Sequence, residues 1–526
     1  MNDADVRRRN HWVNHIARHA HAKPDDVYLR FEGCSTTWAQ LHERVTSVAA
    51  AMAGRGVRAG DRVAIMMTNR PEFLEAMFAA NALGAIAVPI NFRLAPDEVA
   101  FILTDSGAAL LVVDETTGLA AASARAACAH EIGFVSAGHT EGADPYFLTA
   151  ARPGGLPAAG EPPAVDVRED SPALIMYTSG TTGRPKGAVL SHQNLQCQAL
   201  TVIRALRLFG DDEVNLCAAP MFHIASIGIV APMVLIGGTL VLMPSGGFSA
   251  AATLNLLEAE RVTGTFLVPS QWQMVCSDPS LPGRDLSALK TISWGAAPAT
   301  TTLLNQMAEA FPQAANVAVF GQTEMSPVTC ALDGDDALRK IGSVGKPVAT
   351  VSARIVDNDM ADVPPGEVGE IVYRGPQVML GYWQNPQATA EAFGGGWFHS
   401  GDLVRADSEG FLYVVDRKKD MIITGGENVY CAEVENALAA HPAVAELAVI
   451  GAPHEHWGET PAAVAALQAG TSLTLEELRD WGAGRLARYK LPTVLHVVPS
   501  LPRNASGKVM KTVLRRQFGD PRGQRA

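Results

Sequence analysis

The sequence predicts a multidomain α/β protein. A large N-terminal domain of βαβ subdomains plus a small β-barrel-like part is followed by a small α+β C-terminal domain. Three observations predict it. At 526 residues the chain exceeds one core, since cores stop growing at roughly 250–300 residues. Hydrophobic residues make up 48% and charged residues 18%, enough apolar material for buried sheets and too much for disorder. Short apolar runs of strand length alternate with helical patterns until about residue 350, where the texture changes.

Trp38, Leu41, Val45, Val48 and Met52 recur at spacings of three and four, one face of a helix ending at Gly54 or Gly56. RVAIMM follows as a strand, then a helix opening at Pro71 and ending near Gly84; AIAVPI and ALLVVD are further strands. Strands alternating with helices read as βαβ units and a largely parallel, buried sheet. Residues 156–172, rich in Pro, Ala and acid, read as a surface connector. PALIMYTSG is then a strand running into a loop, with Ser191 as N-cap of the next helix. Past Thr350, VSARIVD, GEIVYRG and GFLYVVD are short alternating strands, and a compact α+β pattern fills the rest. The boundary is expected near 417–420, giving domains 1–416 and 417–526.

A net charge of −12 argues against a nucleic-acid partner, which needs a basic field. The end is different: from Arg485 on there are ten Lys and Arg but one acid, Asp520. That tail suits an anionic ligand, peripheral contact with an anionic lipid surface, or simple solvation. A homodimer is left open. Seven scattered cysteines without a CxxC pair fit free thiols in a reducing cytoplasm. The first residues lack the apolar stretch of a secretory signal. No Asp, Glu, Lys or Arg occurs between Glu213 and Glu258, but Pro220, Pro232, Gly237, Gly238 and Pro244 cut that run below the length of a spanning helix. It reads as buried core and as the wall of an apolar pocket.

The stretch YTSGTTGRPKG (177–187) carries chemistry. Backbone N–H groups of a glycine-rich loop can face phosphate oxygens, hydroxyls add donors, and Lys186 adds charge. A Walker A loop requires Gly-Lys-Ser/Thr in succession; here Pro185 precedes Lys186 and Gly187 follows it, so that motif fails. The stretch resembles instead the phosphate loop of the adenylate-forming superfamily, which includes acyl-CoA synthetases, luciferases and peptide-synthetase adenylation domains. The motifs PMFHIAS (220–226), SWGAAP (293–298), FGQTEMS (320–326), GGWFHSGDL (395–403), DRKKDMIITGGENVY (416–430) and PRNASGK (502–508) follow in family order. The resemblance spans the whole chain and looks nearest to bacterial, mycobacterial-type fatty-acyl-CoA ligases.

It implies ATP, Mg²⁺ and coenzyme A as cofactors. The implied reaction is attack of a fatty-acid carboxylate on the α-phosphorus of ATP, then thioesterification of the acyl-AMP to coenzyme A. By resemblance Thr178, Ser179, Gly180, Thr181, Thr182 and Lys186 hold the β- and γ-phosphates. Thr323 reaches the α-phosphate, and Glu324 with Thr181 forms the Mg²⁺ site. Gly295, Ala296, Ala297 and Phe320 resemble the adenine slot, with Gly321 and Gln322 beside it. Phe320 stands where Tyr is usual, so ring stacking stays while the phenol hydrogen bond goes. Asp402 and Arg417 resemble the ribose site, with Ser400 in place of the usual Thr. Lys508 matches the lysine bridging carboxylate and α-phosphate from a mobile lid, Lys419 the hinge, and Gly425 and Gly426 the pantetheine tunnel. His223 matches the position beside the acyl carbonyl; a satisfied core histidine is the alternative. His454 and His456 form an HxH without a second metal-ligand cluster. Trp272, Trp294 and Trp397 read as packing. The implied acyl wall (223–230, 268–272, 325–328) is uncharged, which favours an apolar acid over an amino acid. Transfer to a carrier protein, or an aromatic or short acid, are the alternatives.

Overall fold

The computed structural model describes residues 10–146, 162–178, 185–210, 212–297, 299–424, 427–503 and 509–519. The chain divides into two compact units. One comprises Met1–Ala353 with Tyr373–Phe398, the other Arg354–Val372 with His399–Ala526.

Among the described residues the first unit holds a nine-stranded and an eight-stranded sheet. In the eight-stranded sheet Arg62–Met66, Ile86–Pro89, Leu110–Asp114, Gly133–Ala137 and Pro172–Thr178 run parallel, as the βαβ reading expects. Two antiparallel strands, Lys186–Ser191 and Gly381–Tyr382, finish one edge. The nine-stranded sheet runs parallel from Val27–Phe31 through Thr239–Leu242, Val214–Cys217, Gly264–Phe266 and Thr291–Gly295 to Ala315–Gly321. Val328–Leu332 then turns back antiparallel.

The helix read at 38–54 is Trp38–Gly54, opened by a capping box between Thr37 and Gln40. Its five periodic residues are all buried. Ser191 caps His192–Ala205, accepting from the Asn194 amide at 3.1 Å. The charge-free run is core: the helix Ile224–Ile236 is buried along most of its length and stops at Gly237, φ +77°. No helix among the described residues is long and apolar enough to cross a membrane. The seven cysteines are free thiols.

Ser352–Val356, Gly369–Arg374, Phe398–Ala406 and Leu412–Arg417, most of whose residues belong to the second unit, form a four-stranded sheet. A five-stranded sheet follows, built around the hairpin Val444–His454/Gly458–Leu467. The four-stranded sheet thus groups by compactness with the C-terminal residues, and the turn at 417–420 lies inside this unit.

Candidate active site

The motif residues of the first unit gather where strands end. Gly295 closes Thr291–Gly295 and pairs with Val319, which puts Ala296 and Ala297 beside Phe320 at the carboxyl ends of two parallel neighbours. Ala296 adopts φ +64° and both alanines are exposed. A Cβ on Gly295 would overlap the Val319 carbonyl oxygen, so the two strands meet here backbone to backbone. At Gly321 the demand is as strict, because a Cβ would overlap the Pro327 carbonyl oxygen, which accepts from the Gln322 amide at 2.9 Å.

Thr323–Met325 is one short 3₁₀ turn. It buries Glu324, whose Oε1 accepts from the Tyr382 hydroxyl at 3.1 Å. Its second oxygen has no partner among the described residues. The Tyr382 ring lies under the Lys186 ammonium, 5.2 Å from Nζ to centroid. Burial, and then the Glu324 charge, push the Tyr382 phenol well above its ordinary value, so it stays a donor. Lys186 opens its strand opposite Thr178, whose hydroxyl donates to the Lys186 carbonyl at 3.4 Å.

Behind this cluster runs a strap that sequence reasoning missed. Gln377 is fully buried; its amide donates to Val328 O and accepts from the Thr350 hydroxyl. Its carbonyl accepts from Ser326 Oγ at 2.9 Å. Asn194 Nδ2 donates to Pro376 O and Val378 O at 2.7 and 2.9 Å, and the Met379 amide donates to Glu324 O at 2.8 Å. The only sequence hint is polar Gln377 among apolar neighbours.

His223 caps Ile224–Ile236, its Nδ1 accepting from the Ala225 amide at 3.2 Å, and burial holds its imidazole below the ordinary value. A Cβ on Gly228, one turn on, would stand 3.3 Å from the Pro327 ring, so this helix backs the 320–326 turn. Trp272 donates to Ser293 O and Trp294 to Asn316 Oδ1, both buried, as the packing reading expects. Trp397 stacks under Arg374, 4.3 Å from the ring centroid.

In the second unit Asp402 and Arg417 face each other across paired strands, Oδ1 to Nε 2.6 Å. Ser400 Oγ donates to Ile371 O and accepts from the Asp402 amide. Glu370 is buried, yet hydrogen bonds from His399 and Lys418 hold its carboxyl below the usual range. Lys419 is exposed on a turn clamped from both sides. Asp420 pairs with Arg515 at 2.7 Å, Asp416 accepts from the Cys431 amide, and the Cys431 thiol donates to Asp420 O at 2.9 Å. Burial pushes that thiol up to about 12. His454 Nδ1 accepts from the His456 and Trp457 amides, closing a hairpin tip. Ser179, Gly180, Thr181, Thr182, Gly425, Gly426 and Lys508 lie outside the described residues.

Open sheets of this kind bind ligands at the carboxyl ends of their strands. Here that end carries Gly295, Ala296, Ala297 and Phe320, with Glu324 buried in the turn that follows. The AMP-binding enzyme family model matches residues 16–383, and the AMP-binding enzyme C-terminal domain model matches 433–508. The chain belongs to the AMP-binding enzyme family. It is 42% identical over 506 residues to a feruloyl-CoA synthase of Amycolatopsis sp., covering 95% of this chain and 98% of that one. It is 37% identical over 485 residues to a long-chain-fatty-acid–CoA ligase of Mycobacterium tuberculosis, covering 92% and 93%. Among solved structures, o-succinylbenzoate coenzyme A synthetase of Bacillus subtilis in complex with ATP and magnesium superposes with TM-score 0.84 at 32% identity, covering 95% and 99%.

Proposed function

We propose that this chain is an AMP-forming acid–CoA ligase that activates an uncharged, apolar carboxylic acid. The observation that carries the reading is the meeting of Lys186 and Glu324 at Tyr382, beside the glycine-lined strand ends. A buried carboxylate with one oxygen unpartnered among the described residues suits a hard divalent cation, and a nearby ammonium suits phosphate. Magnesium bound there supplies charge neutralisation for the triphosphate. Lys186 with Thr178 and the loop 179–182 orients the β- and γ-phosphates, and Thr323 the α-phosphate. Gly295, Ala296, Ala297 and Phe320, with Gly321 and Gln322, receive the adenine, and Asp402 with Arg417 the ribose. His223 borders the acyl carbonyl. Lys508 bridges carboxylate and α-phosphate, and Lys419 is the hinge between 1–416 and 417–526 that exchanges Lys508 for the thiol path along Gly425 and Gly426. Positioning and charge then carry both half-reactions.

An arylalkenoic acid of the ferulate kind is the first candidate substrate, supported by the feruloyl-CoA synthase likeness and by the uncharged wall at 223–230. A fatty acid is the second, supported by the mycobacterial relative. The test is mass spectrometry of purified protein with MgATP and ferulate or hexadecanoate, with and without CoA. Feruloyl-CoA formed only with CoA is the expected result; hexadecanoyl-CoA alone selects the second reading. Acyl-AMP accumulating equally in both samples overturns CoA as acceptor and points to a carrier protein. Lys508→Ala should lower acid-dependent pyrophosphate exchange by about a hundredfold or more while sparing thioesterification of added acyl-AMP; equal loss of both steps would remove the role given to Lys508.

A further inference from the structure

Tyr382 touches two groups of opposite charge at two different parts of one side chain. Its hydroxyl donates to Glu324, and its ring face carries the Lys186 ammonium. Among the described residues no carboxylate pairs with Lys186, although Glu324 meets the hydroxyl of the same side chain. Left to themselves, a buried carboxylate and an ammonium that both touch one side chain would be drawn toward an ion pair and neutralise each other. We infer that Tyr382 is a positioning spacer that keeps Lys186 and Glu324 apart, each committed to a different part of one ligand, a metal-bound nucleoside triphosphate. The inference rests on the nucleotide reading above.

The spacer is itself fixed. Tyr382 pairs with Ala188, two residues beyond Lys186, so the ring and the lysine are set by one strand register. Its amide donates to Thr389 Oγ1 at 2.9 Å. The Leu380 and Trp383 amides donate to Val189 O and Gly187 O at 2.9 and 2.7 Å, and the Met379 amide holds the Glu324 carbonyl. One segment of backbone therefore touches the lysine strand and the acid turn at once. Shifting Tyr382 by a residue would turn its side chain to the other sheet face and release both charges. A phenol meets both needs where phenylalanine or leucine meets one or none.

Two variants separate the parts. Tyr382→Phe keeps the ring under Lys186 and frees Glu324; Tyr382→Leu removes both contacts. The measurement is calorimetric binding of ATP to the full chain across a magnesium titration, with thermal midpoints alongside. For Tyr382→Phe we expect half-saturation at about tenfold higher magnesium, from loss of a hydrogen bond to a charged acceptor, with unchanged affinity at saturating magnesium. For Tyr382→Leu we expect a further loss of about tenfold that magnesium does not restore, because the lysine is no longer held apart. Wild-type magnesium dependence in Tyr382→Phe overturns the inference. So does an equal loss at every magnesium concentration that tracks a lower thermal midpoint, the signature of a merely structural residue. A wild-type chain that binds no ATP at any magnesium concentration overturns the nucleotide reading itself, and is thereby distinguished from failure of the spacer.

Discussion

The turn at 320–326 and the turn at 416–420 carry motif residues of comparable weight, yet different forces hold them. At 320–326 backbone lies on backbone at Gly295 and Gly321, and buried neutral hydrogen bonds from Gln377, Ser326 and Met379 finish the job. At 416–420 the holding groups are mostly charged and partly in water: Asp420–Arg515, Asp402–Arg417 and Glu370–Lys418. Neutral buried networks tolerate no substitute geometry, while half-exposed ion pairs are individually weak and can be exchanged. The first arrangement suits the fixed nucleotide floor we propose at 320–326, the second the hinge we propose at Lys419.

The sharpest way to break the contrast is Gly321→Ala. Its Cβ has nowhere to go but into the Pro327 carbonyl, so we expect a loss of stability above about 4 kcal/mol, or no soluble protein, in denaturant titration. A mild effect would mean the turn is not fixed.

Acid should strike the first unit harder than the second, although burial holds His496 of the second below its ordinary value too. His15, His19 and His192 are buried and held below the ordinary 6.5. Burial, then Arg18 and Lys23, put His19 at about 4; burial, then His11, puts His192 at about 3. Above pH 6.5 these rings are neutral folded or unfolded. Below it the unfolded chain takes up protons that the folded chain refuses, so stability falls by roughly 1.4 kcal/mol per pH unit per histidine until the folded values are reached. Between pH 6.5 and 5, peptide-resolved hydrogen exchange should show protection lost first around the helix Trp12–Ala22. Earlier loss in the second unit would reverse the comparison.

Gln377→Ala comes next in size. Removing a fully buried amide that serves Val328 and Thr350 should cost about 2–3 kcal/mol and loosen magnesium-dependent ATP binding, because Glu324 hangs from the same strap. Smallest is Asp420→Asn, about 1 kcal/mol at low salt and less at high salt, since its partner Arg515 is 29% exposed. A salt-independent loss would mean this turn is held like the other one.

How far the sequence reaches follows from how far apart the partners lie along it. The helix Trp38–Gly54, the run of parallel strands and the Ser191 cap are local or periodic, and their residues announce them. Gly295 and Phe320 were legible through motif order, and their strand pairing joins them. Tyr382 and Gln377 were not legible, because each acts on partners dozens to hundreds of residues away through a register that no local pattern encodes. The strand Phe398–Ala406 also escaped notice: it overlaps the GGWFHSGDL motif, whose glycines mask its alternation. The grouping of the four-stranded sheet with the C-terminal residues was hidden for the same reason, since compactness is a property of contacts and not of composition.

The thiol of Cys431 gives the protein a native stopwatch. Buried, protonated at neutral pH and tied to the Asp420 carbonyl, it is inert to alkylating reagents while the turn holds its shape. Its modification rate, read by peptide mass mapping against exposed Cys34 in the same molecule, therefore counts openings of the 416–420 turn without any label being added.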